Sequence, residues 1–126
     1  MPDMTQSDAA HITTTRTVTV GDIRIGGTAP FALITGPCQL ESLDHARMMA
    51  DRIATACVTS GTRFVFKASY DKANRSSGTT PRGLGLDEGL SILSKIGQEF
   101  DCPVLTDVHD PSHCVPAALS LIHISE

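Results

Sequence analysis

The chain has 126 residues, with 10 Lys plus Arg against 14 Asp plus Glu and a formal net charge of −4. One compact domain is the ceiling at this length. With 19% charged and 40% hydrophobic residues, it has too little polarity for a disordered chain and too little unbroken apolarity for a membrane span, so a soluble protein is expected. A mildly acidic balance and 4% aromatic residues give no reason to expect nucleic acid as a partner.

Cys38, Cys57, Cys102 and Cys114 form no CxxC pair, and the polar start MPDMTQSDAAHITT has no apolar stretch of signal-peptide length. Neither a disulfide framework nor a zinc knuckle is expected, and the reducing cytoplasm is the default setting. Residues 1–14 read as a loosely ordered tail.

The apolar period then sets the elements. In TRTVTVGDIRIGG, Val18, Val20, Ile23 and Ile25 alternate about Gly21-Asp22, a strand-turn-strand pattern. FALIT, residues 31–35, is a continuous apolar run closed by Gly36-Pro37, as in a strand buried on both faces of a parallel sheet. Ser42 caps a helix in which Leu43, Ala46, Ala50, Ile53, Ala54 and Cys57 share one face, and Ser60-Gly61 stops it. RFVFK at 63–67 returns to strand chemistry. After a polar loop, Leu86, Leu90, Leu93, Gly97 and Phe100 mark a second helix. PVLTDV from Pro103 reads as a third buried strand, and Pro111-Ser112 opens a third helix.

Strand and helix alternating at this spacing imply right-handed βαβ units and a parallel sheet. A doubly wound sheet would give that order, but no GxGxxG follows the first strand, and polar, chemically capable residues follow all three strands alike. A (β/α)8 barrel collects such post-strand loops on one face. The expected fold is therefore α/β: a small β-hairpin followed by the N-terminal part of a TIM barrel. A complete barrel takes roughly 250 residues, so this chain could supply about half of one.

The post-strand segments carry the chemistry. In GPCQLES, Gly36-Pro37 forces a sharp turn that could hold the Cys38 thiol at the mouth of the sheet, as a metal ligand or a nucleophile. Taken alone, a cysteine beside an apolar strand is more often a small buried hydrophobe. After the second strand, Arg63, Lys67, Lys72, Arg75 and Arg82 place five of the ten basic residues within twenty positions, with Asp71 the only acid among them. Arg and Lys, with Ser76, Ser77 and loop amides, make a local anion trap suited to phosphate; the bland reading is a solvated basic loop. After the third strand, Asp107 could hold a lysine or a substrate hydroxyl. His109 could move protons near neutral pH, with a structural hydrogen-bonded role the competing reading. His45 and His113 are assigned no role, and Met48 and Met49 read as helix packing.

GPCQLES, FKASYDKANRSS, RGLGLDEGL and PVLTDVHDPS, in this order over residues 15–118, resemble the N-terminal half of the 3-deoxy-D-manno-octulosonate 8-phosphate synthases (KDO-8-phosphate synthases). The GPC turn is shared with the 3-deoxy-heptulosonate 7-phosphate synthases, but those typically show a KPRTSP-like sequence where this chain has KANRSS. The resemblance implies a homotetrameric barrel enzyme that condenses phosphoenolpyruvate with D-arabinose 5-phosphate and releases phosphate, for lipopolysaccharide assembly. By position it implies that Lys72 contacts phosphoenolpyruvate near the reacting centre, with Lys67 lining the same pocket. Asn74 would bind the sugar hydroxyls, Arg75 and Ser76 its phosphate, and Asp107 would orient Lys72 and the sugar end. Cysteine at position 38, where other members have asparagine, implies the metal-requiring subtype. Cys38 would then be one ligand of a divalent Zn, Fe or Mn, the others being a His, a Glu and an Asp from the second half of the barrel; His109 and His113 do not correspond to that histidine.

Two departures qualify the resemblance. Leu84 stands where many relatives have proline, and residues 119–126, LSLIHISE, do not resemble the family and read as a non-native or truncated tail. A half barrel is expected to be inactive as it stands, and to associate through its open sheet edge and apolar helix faces. The alternatives are thus a non-catalytic fragment that binds sugar phosphate or joins other subunits, and a heptulosonate-phosphate synthase.

Overall fold

The computed structural model describes residues 15–71 and 84–121. Two short strands, β1 (Val18–Val20) and β2 (Ile23–Ile25), pair antiparallel with Val18 opposite Ile25 and Val20 opposite Ile23. Gly21 makes their tight turn in the left-handed region, φ 59°, where an L side chain is disfavoured.

Three strands form a separate parallel sheet in the order β3 (Ala32–Thr35), β4 (Arg63–Lys67), β5 (Val104–Leu105). Ala32 lies beside Arg63 and Thr35 beside Phe66; across the other edge of β4, Phe66 lies beside Val104 and Lys67 beside Leu105. The crossovers are α1 (Leu43–Ser60) and α2 (Leu86–Phe100). Ser42 accepts a hydrogen bond from the His45 amide at the start of α1. Gly61, φ 68°, ends the helix by donating its N–H to the Cys57 and Val58 carbonyls. α2 has no side-chain cap, but Asp87 and Glu88 in its first turn oppose the positive end of its dipole.

Both helices cover one face of the sheet. Phe64 and Phe66 on β4 point into a core with Ala46, Ala50 and Cys57 of α1 and Ile92, Leu93 and Ile96 of α2. Arg47 reaches across the outside to make a forked pair with Glu99, which holds the Glu99 carboxyl below its usual range. The pair is solvent-facing and orients the helices more than it stabilises them.

The other sheet face carries Ile34, Val65 and Leu105. Val65 on the central strand is 2% exposed, whereas Ile34 and Leu105 are 49% and 40% exposed. The expectation that FALIT is buried on both faces is therefore corrected: among the described residues β3 has a neighbour on one side only, and the helices cover the opposite face. The third strand is also shorter than PVLTDV suggested. Beyond Leu105, whose carbonyl accepts from the Ala68 amide, the backbone of the β4 segment turns to the β3 side: the Ser69 N–H donates to the Cys38 carbonyl and the Leu40 N–H to the Ser69 carbonyl.

The hairpin lies under the N-terminal ends of this sheet. Asp22 pairs with Arg63 at 2.6 Å, which lowers the Asp22 pKa, and a Cβ on Gly21 would lie 3.0 Å from Pro103 Cγ. At the opposite end, Asp110 caps a 3-10 turn (Pro111–His113) by accepting from the Ser112 amide. The turn leads into α3 (Cys114–Leu121).

Candidate active site

The C-terminal ends of the three parallel strands are drawn together by backbone before any side chain is involved. Gly36 is the closest approach: a Cβ there would stand 1.9 Å from the Lys67 carbonyl oxygen. Only glycine allows the turn after β3 to lie against the end of β4. Gln39 and Ser69 then form an isolated parallel bridge, with Leu40 anchored at 1% exposure beneath it. Cys38, between the turn and the bridge, is exposed at this rim.

The segment after β4 meets the segment after β5. The buried Ser69 hydroxyl donates to Asp107 Oδ1 at 2.5 Å, and His109 Nε2 lies 3.2 Å from Asp107 Oδ2. The same Nε2 is 2.7 Å from the Asp71 carbonyl oxygen. A carbonyl only accepts, so Nε2 carries the proton and is shared between that carbonyl and the carboxylate. Tyr70, between Ser69 and Asp71, is fully buried, with its hydroxyl 2.9 Å from His113 Nδ1. Its ring centroid lies 6.4 Å from that of His109 and 5.8 Å from that of His113. From the helix side, Gly89 comes so near that a Cβ would stand 2.3 Å from Tyr70 Cβ.

Of the residues singled out from the sequence, Cys38, Lys67 and Asp107 stand at the ends of β3, β4 and β5 respectively. Lys72, Asn74, Arg75 and Ser76 lie outside the described residues, as do Ser77 and Arg82. Asp71, which precedes them, is tied through His109 to Asp107. Ser69, Tyr70 and His113 were not anticipated, and no pattern in the sequence links residues so far apart. Among the described residues no group of three or more His, Cys, Asp or Glu could hold a metal ion. Cys38 thus offers one soft donor at the rim, and any remaining ligands would lie outside those residues.

Burial pushes the Tyr70 phenol above its ordinary pKa, and the carboxylates of Asp107 and Asp71 push it further; the hydrogen bond with the His109 backbone opposes them. Tyr70 is the only tyrosine and there is no tryptophan, so phenolate absorbance reports this residue alone. Its titration midpoint is expected above 10.0. Because the unfolded chain ionises first, stability should fall as pH rises past the unfolded value. A midpoint at the ordinary value would show that the hydroxyl is solvated.

The sequence profile of the DAHP synthetase I family matches residues 5–124. The chain belongs to the DAHP synthetase I family. Within it, the chain is 50% identical over 112 residues to the 2-dehydro-3-deoxyphosphooctonate aldolase of Granulibacter bethesdensis, covering 89% of this chain and 40% of that protein. It is 48% identical over 103 residues to the protein of the same name from Rickettsia peacockii, and 47% identical over 103 residues to that from Rickettsia prowazekii. Each of these two matches covers 82% of this chain and 38% of the relative. The chain thus spans about 40% of the length of the curated relatives it matches. Its mixed α/β architecture is consistent with part of a barrel, and no helix among the described residues is long and apolar enough to cross a membrane.

Proposed function

We propose that this DAHP synthetase I family chain carries one side of a site, at the open end of the N-terminal half of a (β/α)8 barrel, where phosphoenolpyruvate condenses with D-arabinose 5-phosphate. In that reaction the enol carbon bonds to the sugar aldehyde and water adds at the neighbouring carbon. The C–O bond of the resulting hemiketal phosphate then breaks, giving 3-deoxy-D-manno-octulosonate 8-phosphate and inorganic phosphate. The observation that carries the reading is the position of Asp107: it is held by Ser69 and His109, and the same histidine grips the carbonyl of Asp71, the residue from which KANRSS departs. An acid is thereby fixed beside the start of the most basic stretch of the chain.

In this reading Lys72 contacts phosphoenolpyruvate and Lys67 lines the same pocket. Asn74 binds the sugar hydroxyls, Arg75 and Ser76 its phosphate, and Asp107 orients Lys72 and the sugar. Guanidinium forks suit phosphate oxygens, and a lysine supplies a compact charge near the reacting carbons. The names of the relatives at 47–50% identity favour the octulosonate branch over the heptulosonate one. Cys38 is proposed as one ligand of a divalent Zn, Fe or Mn, supported by its exposure at the rim and its soft donor atom. When bound, such a metal would polarise an oxygen in the pocket. The reading also assigns a cytoplasmic homotetramer and a role in lipopolysaccharide biosynthesis.

Calorimetric titration of the chain with D-arabinose 5-phosphate tests this reading. Binding is expected, competed by inorganic phosphate. Arg75→Ala should weaken it by about tenfold or more, since a charge-assisted hydrogen bond is worth roughly 1.5–3 kcal/mol. Equal affinity in Arg75→Ala, or no binding by the unaltered chain, would contradict it.

A further inference from the structure

The turn Ser69-Tyr70-Asp71 is held by three residues of one short segment after β5: Asp107 takes the Ser69 hydroxyl, His109 takes the Asp71 carbonyl, and His113 meets the Tyr70 hydroxyl. The first two lie at the carboxylate itself. The third acts at the far end of a fully buried ring. That ring cannot yield toward α2, because Gly89 already approaches its Cβ. Its hydroxyl end therefore decides whether the turn stays seated.

We propose that His113 is a positioning residue for this site: by holding the Tyr70 hydroxyl it locks the Ser69–Asp71 turn, and with it Asp107 and the point from which KANRSS departs. His113 needs no contact with substrate for this role. It works through a buried phenol whose hydroxyl would otherwise lose its bond at His113 and keep only the one with the His109 backbone, which is costly where water cannot replace the lost partner. The consequence for ligand affinity rests on the sugar-phosphate reading above; the consequence for the turn does not.

Three variants of the full chain test the proposal: Tyr70→Phe, His113→Leu and His113→Asn. Hydrogen exchange is read at the Ser69 and Leu40 amides, which bond across the bridge, and at the Phe66 amide in the central strand as control. Tyr70→Phe and His113→Leu should each speed exchange at Ser69 and Leu40 by about tenfold, with the Phe66 amide little changed. They should weaken D-arabinose 5-phosphate binding by a similar factor. His113→Asn keeps an acceptor near the place of Nδ1 and should restore both readouts to within about threefold, along with the Tyr70 absorbance of the unaltered chain.

The proposal is overturned if His113→Leu exchanges and binds as the unaltered chain does, or if His113→Asn behaves like His113→Leu. Should His113→Leu fail to fold, Tyr70→Phe, which keeps the ring, decides the matter by the same exchange readout. If the unaltered chain binds no sugar phosphate, the functional reading fails, while exchange at Ser69 and Leu40 still decides the role of His113.

Discussion

Gly36→Ala is expected to lower stability by about 3 kcal/mol or more, at the upper end of what overpacking costs. The added Cβ would meet the Lys67 carbonyl oxygen at 1.9 Å, its carbon at 2.9 Å and its nitrogen at 3.1 Å. All three are backbone atoms, so no side-chain rotation can relieve the clash. The β3–β4 ladder must open where Thr35 lies beside Phe66, and the Ser69 bond to the Cys38 carbonyl opens with it. Gly61→Ala is the control: its φ of 68° is unfavourable for alanine, but nothing lies within 4 Å, so its cost should be about 1 kcal/mol. Urea unfolding of both variants checks the prediction. A Gly36→Ala variant no less stable than Gly61→Ala would mean that the turn does not approach β4 as described.

Phe66→Ala should cost about 3–5 kcal/mol, the range for emptying a buried aromatic site. Phe66 is fully buried on the central strand, points into the contact between α1 and α2, and donates its amide to the Pro103 carbonyl. Its neighbours come from three elements that cannot collapse together without shifting the strand. Against a total stability of roughly 5–15 kcal/mol for an ordinary domain, this is a large share. Val58→Ala, on the outer face of α1 and 84% exposed, should change stability by no more than about 0.5 kcal/mol. The measurement is the urea midpoint of each variant at unchanged slope. A cost below about 1 kcal/mol for Phe66→Ala would show that the core does not lie on the helix side of β4.

The local chemistry of the fold was legible where neighbouring residues decide it. Ser42 and Gly61 mark the ends of α1 because a hydroxyl acceptor and a left-handed glycine are what those termini need. The apolar stripe of α2 gave its buried side, with Leu90 and Leu93 inward. What the sequence could not reveal was which strand faces lack a cover. FALIT has the composition of a strand buried on both faces, yet Ile34 is half exposed because burial depends on what lies opposite and beside it.

The candidate site divides in the same way. Cys38, Lys67 and Asp107 could be gathered from the sequence because a parallel sheet with crossovers on one side brings its post-strand residues to one end. The network around Tyr70 could not, since Ser69 meets Asp107 across 38 positions and Tyr70 meets His113 across 43. His113, assigned no role on sequence grounds, meets the Tyr70 hydroxyl only when those loops are folded against each other. The assignment of Asn74 to the sugar hydroxyls rests on the resemblance, and that of Arg75 and Ser76 to its phosphate on the basic loop's composition and the resemblance together, all outside the described residues.

Binding of a sugar phosphate at the C-terminal ends of β3, β4 and β5 can be read residue by residue in an amide chemical-shift map of the chain during titration with D-arabinose 5-phosphate. Saturable shifts are expected at Ser69, Tyr70, Asp71, Asp107 and His109, all suppressed in Arg75→Ala. Shifts confined to the opposite end of the sheet, around Gly61, Arg63 and Cys102, or no saturable shifts at all, would contradict it.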